Sequence, residues 1–150
     1  QRLAPNGIFV QWLPLFQMDL DTFKIVARTF ADRFPHVQVH LPHFSLRQPI
    51  IGLFGSTSPL EFGRDRLINR VTARPLQRQL VSLRLNSDLS LYGGFIADRK
   101  GLLTYAGDAP LNTDDHTLVT YRAPAFAYTQ QGAHGERLVE LVDALASGAD

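Results

Sequence analysis

A chain of 150 residues with 45% apolar and 19% charged side chains is long enough to bury one core and too apolar for intrinsic disorder. Fifteen basic against fourteen acidic residues leave a formal charge of +1, so no bulk attraction draws it to nucleic acid or to an anionic membrane. The absence of cysteine excludes disulfides, thiolate nucleophiles and cysteine-based zinc sites, and accords with a reducing, cytoplasmic setting.

Asn6-Gly7 launches the apolar run Ile8-Phe9-Val10, which predicts a buried strand at about 8 to 12. That strand delivers Gln11 to its carboxyl end, the side on which open α/β sheets bind ligands. Asp19 is a helix N-cap with Asp21 in the first turn, and Phe23, Val26, Phe30 and Phe34 follow at helical spacing until Pro35 ends the run. "HVQVHLP" alternates and "PIIGLFGS" is continuously apolar. The loop from Pro42 to Pro49 between them is short enough for an antiparallel hairpin, because a parallel return needs a dozen or more residues. After Pro59, "LEFGRDRLINRV", "LQRQLVSLRL", "DLSLYGGFIAD" and "RKGLLTYAG" read as short helices broken by Pro75, Gly93-Gly94 and Gly101. The alternation from Thr117 to Arg122 reads as an extended arm or last strand, and the stripe Leu138, Leu141, Val142, Leu145 as a final helix closed by Gly148. No apolar run approaches the ~20 residues of a membrane-spanning helix. The first residue is Gln and no signal-peptide pattern follows, which suggests a segment of a longer protein.

Several polar clusters carry two readings each. His36 and His40 share one face of the predicted strand and His43 lies in the loop beyond it, so these histidines read as surface groups before they read as a metal site. Asp114-Asp115-His116 has the composition of a divalent-metal or acid/base pair, yet adjacent residues on an extended backbone point opposite ways. Asn112-Thr113-Asp114 also has turn and capping chemistry, with one carboxylate left for a pocket rim. Arg64, Arg66, Arg70, Arg74 and Arg78 alternate with Glu61, Asp65 and Asn69, the pattern of a solvated helix face.

The order "GIFVQW", amphipathic helix ending "FPHV", strand, "LPHFSLRQ", strand "IIGLFGS" resembles the C-terminal half of the spermidine and spermine synthases, which are polyamine aminopropyltransferases. "APLNTDDHTLVTYRAP" resembles a stretch of bacterial spermidine-synthase-like proteins, including forms fused to a membrane transporter-like region. The resemblance implies an α/β fold. Residues 1–58 would be the second half of a Rossmann-like, methyltransferase-type sheet with an antiparallel last hairpin. Residues 59–132 would form a helical annex with the Thr-Asp-Asp segment, and 133–150 a C-terminal helix and tail. It also implies a parent that transfers an aminopropyl group from the co-substrate decarboxylated S-adenosylmethionine to a small-molecule amine, without a metal. The adenosyl grip and the catalytic Asp pair would lie on preceding strands, so this chain would be inactive alone. Gln11, Trp12, His43, Phe44 and Asp114 would form its contribution to substrate binding.

Two positions depart from that pattern. Leu13 stands where the family has a glutamate that holds the cationic amine, and Phe44 keeps the aromatic wall of a family tyrosine but lacks its hydroxyl. Cation–π contact with Phe44 or Trp12 would contribute only ~1 kcal/mol. Three rival readings remain: a non-catalytic binding or regulatory module with the synthase fold, an S-adenosylmethionine-dependent methyltransferase, and a metal hydrolase built on Asp114 to His116. The expected partners are the amine and a second copy, met through the sheet edge or the annex, with no nucleic acid and no direct membrane contact from this segment.

Overall fold

The computed structural model describes residues 3–42, 44–61, 63, 74–82, 87, 93–129 and 134–148. The first strand, β1 (Phe9–Pro14), is followed by a 3-10 turn (Leu15–Gln17) and by α1 (Leu20–Arg33). Helix α1 starts as its composition dictates: the Asp19 carboxylate accepts a hydrogen bond from the Thr22 N–H at 2.6 Å, and Asp21 and Arg33 complement the helix dipole at the two ends. β2 (His36–His40) and β3 (Ile50–Ser56) form the expected antiparallel hairpin. Then come α2 (Arg74–Ser82), β4 (Phe95–Asp98), α3 (Arg99–Ala106), α4 (Leu118–Thr129) and α5 (His134–Ser147).

The strands build one four-stranded sheet in the order β1-β3-β2-β4, with every neighbouring pair antiparallel. β1 and β2 therefore run in the same direction, joined by α1 as a crossover, with β3 inserted between them. Register on β1 assigns the faces: Phe9, Gln11 and Leu13 lie opposite Gly55, Leu53 and Ile51, whereas Val10, Trp12 and Pro14 turn to the other side. The core fills the space between the first face and the helices. Leu13, Val37, Val39, Ile51, Leu53 and Ala97 meet Phe23, Ala27, Phe30 and Ala31 of α1, Leu102 and Ala106 of α3, and Leu138, Leu141 and Leu145 of α5. The part read as an annex thus supplies β4, α3 and a share of the same core.

Several expectations are corrected. β1 runs on to Pro14, so Gln11 stands mid-strand rather than at the carboxyl end, and as an edge strand it buries only Leu13. Gly101 does not break a helix but lies inside α3. "GGFIAD" was expected to be helical, but Phe95–Asp98 is a strand: Gly93-Gly94 turns the chain, the Leu41 N–H donates to the Gly94 carbonyl at 2.6 Å, and β2's open edge takes up the ladder. Thr117 to Arg122 is not extended; α4 begins at Leu118, where the Asn112 side-chain oxygen accepts from the Val119 N–H at 3.0 Å and caps the first turn. The chain mixes helices with a sheet that, among the described residues, has no adjacent parallel pair, so only the mixed alpha/beta composition of the expected class stands, and the Rossmann-like assignment is taken up below as a proposal. Of the helix predicted at 60–71, Leu60, Glu61 and Gly63 are described and are not helical, while residues 62 and 64–71, with His43, Arg64, Arg66 and Arg70, lie outside the described residues. Among the described residues, no helix is long and apolar enough to cross a membrane.

Candidate functional site

The Gln11 face of β1 opens onto a groove of about 350 Å³, walled by α1 and by the start of α4. Its floor is apolar, from Leu13, Met18, Val26, Phe30, Phe34 and Val119; Gln11, Thr29, Arg33 and Asn112 supply the polar groups. The wall beyond α1 is held in place by that helix. Thr29 Oγ1 donates to the Ile25 carbonyl at 2.7 Å and accepts from the Asn112 N–H at 2.8 Å, while Arg28 Nη1 donates to the Gly107 carbonyl at 2.5 Å. One side chain on α1 therefore fixes the loop whose own asparagine caps α4. Gln11 Nε2 donates to the Trp12 carbonyl at 3.1 Å, which folds the amide back onto its own strand.

The remaining sequence candidates are not gathered here. Trp12 sits on the opposite sheet face, where it packs edge-on against Phe54 at 6.2 Å, and His40 continues that row by contacting Phe54 at 4.8 Å and Phe95 at 5.7 Å. Burial lowers the His40 pKa below its ordinary 6.5. Phe44 is 64% exposed and lines a separate groove beside α5. Asp114 and Asp115 are exposed in a turn closed by reciprocal backbone hydrogen bonds between Thr113 and His116, at 3.1 and 3.2 Å. The turn chemistry of this segment prevails, and Asp114 does not line the Gln11 groove. Among the described residues no group of three or more His, Asp and Glu side chains is placed to hold a metal.

Sequence reasoning missed Thr29, Arg33, Asn112 and Val119. A threonine within an otherwise apolar helix stripe was the one local sign; Asn112 reaches the groove only because a residue 83 positions away binds its backbone. Chemically the groove offers neutral donors and acceptors together with the Arg33 guanidinium over apolar walls. No carboxylate is among its lining residues, so a protonated amine would find acceptors but no counter-charge from them, and a like charge at Arg33. Comparison of the chain with protein-family models, with curated proteins and with solved structures gave no match.

Proposed function

We propose that this chain is the second half of a spermidine-synthase-like domain whose parent transfers an aminopropyl group from decarboxylated S-adenosylmethionine to an amine. The transfer would proceed by in-line attack of a deprotonated amine on the aminopropyl carbon bonded to the sulfonium: the C–N bond forms as the C–S bond breaks, the neutral thioether methylthioadenosine leaves, and the new ammonium gives up a proton to solvent if it ends neutral. The observation that carries the reading is the β1-α1-β2 crossover with β3 inserted antiparallel between the two like-directed strands. It has the strand directions expected for the closing end of such a sheet, and β1 sits at its edge with a free ladder among the described residues. Further parallel strands carrying the adenosyl grip and the catalytic carboxylates would add there. Gln11, midway along β1 on the groove side, then orients the amine by accepting from it while donating to the Trp12 carbonyl.

The test is calorimetric titration of the parent protein with decarboxylated and with ordinary S-adenosylmethionine, followed by a transfer assay with candidate amines. Tighter binding of the decarboxylated form and transfer to an amine are expected, with Gln11→Ala raising the amine KM about tenfold at little cost in kcat. Preference for ordinary S-adenosylmethionine with methyl transfer would overturn the reading. A second reading, the non-catalytic module, is favoured by one observation: Leu13, at the position of the family's glutamate, is only 4% exposed and packed into the core. Adenosyl binding without turnover of any amine would select it.

A further inference from the structure

Among the described residues that line the Gln11 groove, Arg33 alone carries a charge, and the charge is positive. Arg33 is exposed on the last turn of α1 and forms no ion pair or side-chain hydrogen bond among the described residues. Asp32 beside it does not line the groove, since successive residues on a helix do not face the same way. The other polar groups are partly engaged, and what they leave over decides the ligand. The Asn112 side-chain oxygen accepts from the Val119 N–H, so its Nδ2 keeps two N–H donors with no partner among the described residues. Gln11 is the reverse: Nε2 donates to the Trp12 carbonyl, and Oε1 remains an acceptor with no partner among the described residues.

These groups stand on facing walls. Thr29 and Arg33 are one turn apart on α1, hence neighbours on its surface, and Thr29 holds the Asn112 backbone at 2.8 Å; the guanidinium and the Asn112 amide therefore share the α1 side of the groove. Gln11 faces them from β1 across Met18, Phe30 and Phe34. The terminal carbonyls of α1 do not oppose an anion beside Arg33 unscreened, because Arg99 Nε donates to those of Ala31 and Phe34 at 3.2 Å. Positive charge and donors on one wall, an acceptor on the other and hydrocarbon between them describe a ligand with an anion at one end, a donor at the other and an apolar middle. We infer that the groove holds an amino acid with an apolar chain, its carboxylate on the Arg33 guanidinium and Asn112 Nδ2, its hydrocarbon on Met18, Phe30 and Phe34, and its amine donating to Gln11 Oε1. On the aminopropyl-transfer reading above, on which this rests, the acceptor is then an amino acid rather than a polyamine, whose second ammonium would meet Arg33. One guanidinium with one neutral amide matches a carboxylate in charge and in planar shape, whereas a doubly charged phosphate would be left half neutralised. The C–N bond forms at the amine as in that transfer, and the carboxylate takes no part in the step.

The isotope-labelled chain is titrated with hexanoate, hexylamine and inorganic phosphate, and binding is followed by the NMR shifts of its backbone and side-chain amides. Hexanoate should bind with a Kd in the millimolar range and move the side-chain N–H signals of Arg33, Gln11 and Asn112, and hexylamine should bind at least tenfold more weakly. Arg33→Gln should weaken hexanoate about tenfold without weakening hexylamine, and Arg33→Lys should fall between. Arg33 is exposed, so circular dichroism should be unchanged in both variants. Hexylamine binding as tightly as hexanoate, hexanoate binding indifferent to Arg33→Gln, phosphate as the tighter ligand, or no shift at the groove overturns the inference. In the parent protein, aminopropyl transfer to ε-aminocaproate in preference to hexamethylenediamine is expected. Transfer to the diamine alone overturns the inference and leaves the transfer reading standing. Hexanoate binding through Arg33 with no aminopropyl transfer to any amine overturns the transfer reading and leaves the carboxylate site standing.

Discussion

A single methyl group at Gly55 tests the packing that sets the Gln11 face of the sheet. A Cβ there would lie 2.5 Å from Phe34 Cγ and 2.7 Å from Phe30 Cε1, where ordinary contact begins at 3.4 Å, so the rings must retreat by about 1 Å. They have little room: Phe34 stacks on Phe9 at 5.7 Å and leans on Phe30 at 4.8 Å, and Phe30 is 7% exposed. Overpacking of this kind costs ~1–3 kcal/mol, and loosening the aromatic pairs adds ~0.5–1.5. The stiffer unfolded chain gives back ~0.4–1 kcal/mol, for a net loss of about 2 kcal/mol. Gly55→Ala should therefore lower the thermal midpoint by roughly 4–8 °C and the urea midpoint by about 1 M, with an unchanged m-value, followed by far-UV circular dichroism. Gly52→Ala, on the other face of the same strand, is the control. Its Cβ would meet the Trp12 and Phe54 rings at 3.0 Å, and Trp12 is 51% exposed and free to give way, so its stability should shift by no more than about 0.5 kcal/mol. Equal effects at the two glycines, or a more stable Gly55→Ala chain, would refute the assignment of a closed face and an open face.

Thr29→Val removes the acceptor of the Asn112 N–H and should cost ~1–3 kcal/mol, with amide exchange accelerating at Asn112 and through the first turn of α4 before anywhere else. Because burial depresses the His40 pKa below 6.5, the unfolded chain takes up that proton first as the solution is acidified. Stability should accordingly fall as pH drops below about 6.5, and His40→Gln should flatten the urea midpoint across that range; an unaltered slope would place the titration elsewhere. Tyr105 shows the opposite case. Burial, then the Glu140 and Asp21 charges, push its phenol up to about 12 from 10, so the unfolded chain ionises first and stability should decline as pH rises between those values. Tyr105→Phe abolishes that decline. The buried Tyr105 hydroxyl has no hydrogen-bond partner among the described residues, so the same change should leave stability at neutral pH equal or up to ~1 kcal/mol higher.

What could be read from the sequence alone were the features whose causes lie close together along the chain. The Asp19 cap, the apolar stripe of α1, its end before Pro35, the β2–β3 hairpin and the leucine stripe of α5 each arise from residues within a few positions of one another. Gln11 was likewise recognisable as a polar group on the first strand, although the strand runs three residues beyond it. Tertiary structure decided everything that depended on a distant partner. "FIAD" became a strand because β2 offered an open edge, and "LVTYRAP" became a helix because Asn112 caps it while Thr29, 83 residues upstream of Asn112, holds that asparagine in place. The same distinction governs the candidate residues. Gln11 and Trp12 are neighbours in sequence, yet the pleat of a strand sends successive side chains to opposite faces, so one lines a groove with α1 and the other joins an aromatic row on the far side. Local order is set by short-range sterics and hydrogen bonds, whereas a site is assembled by packing between segments that no sequence window contains together.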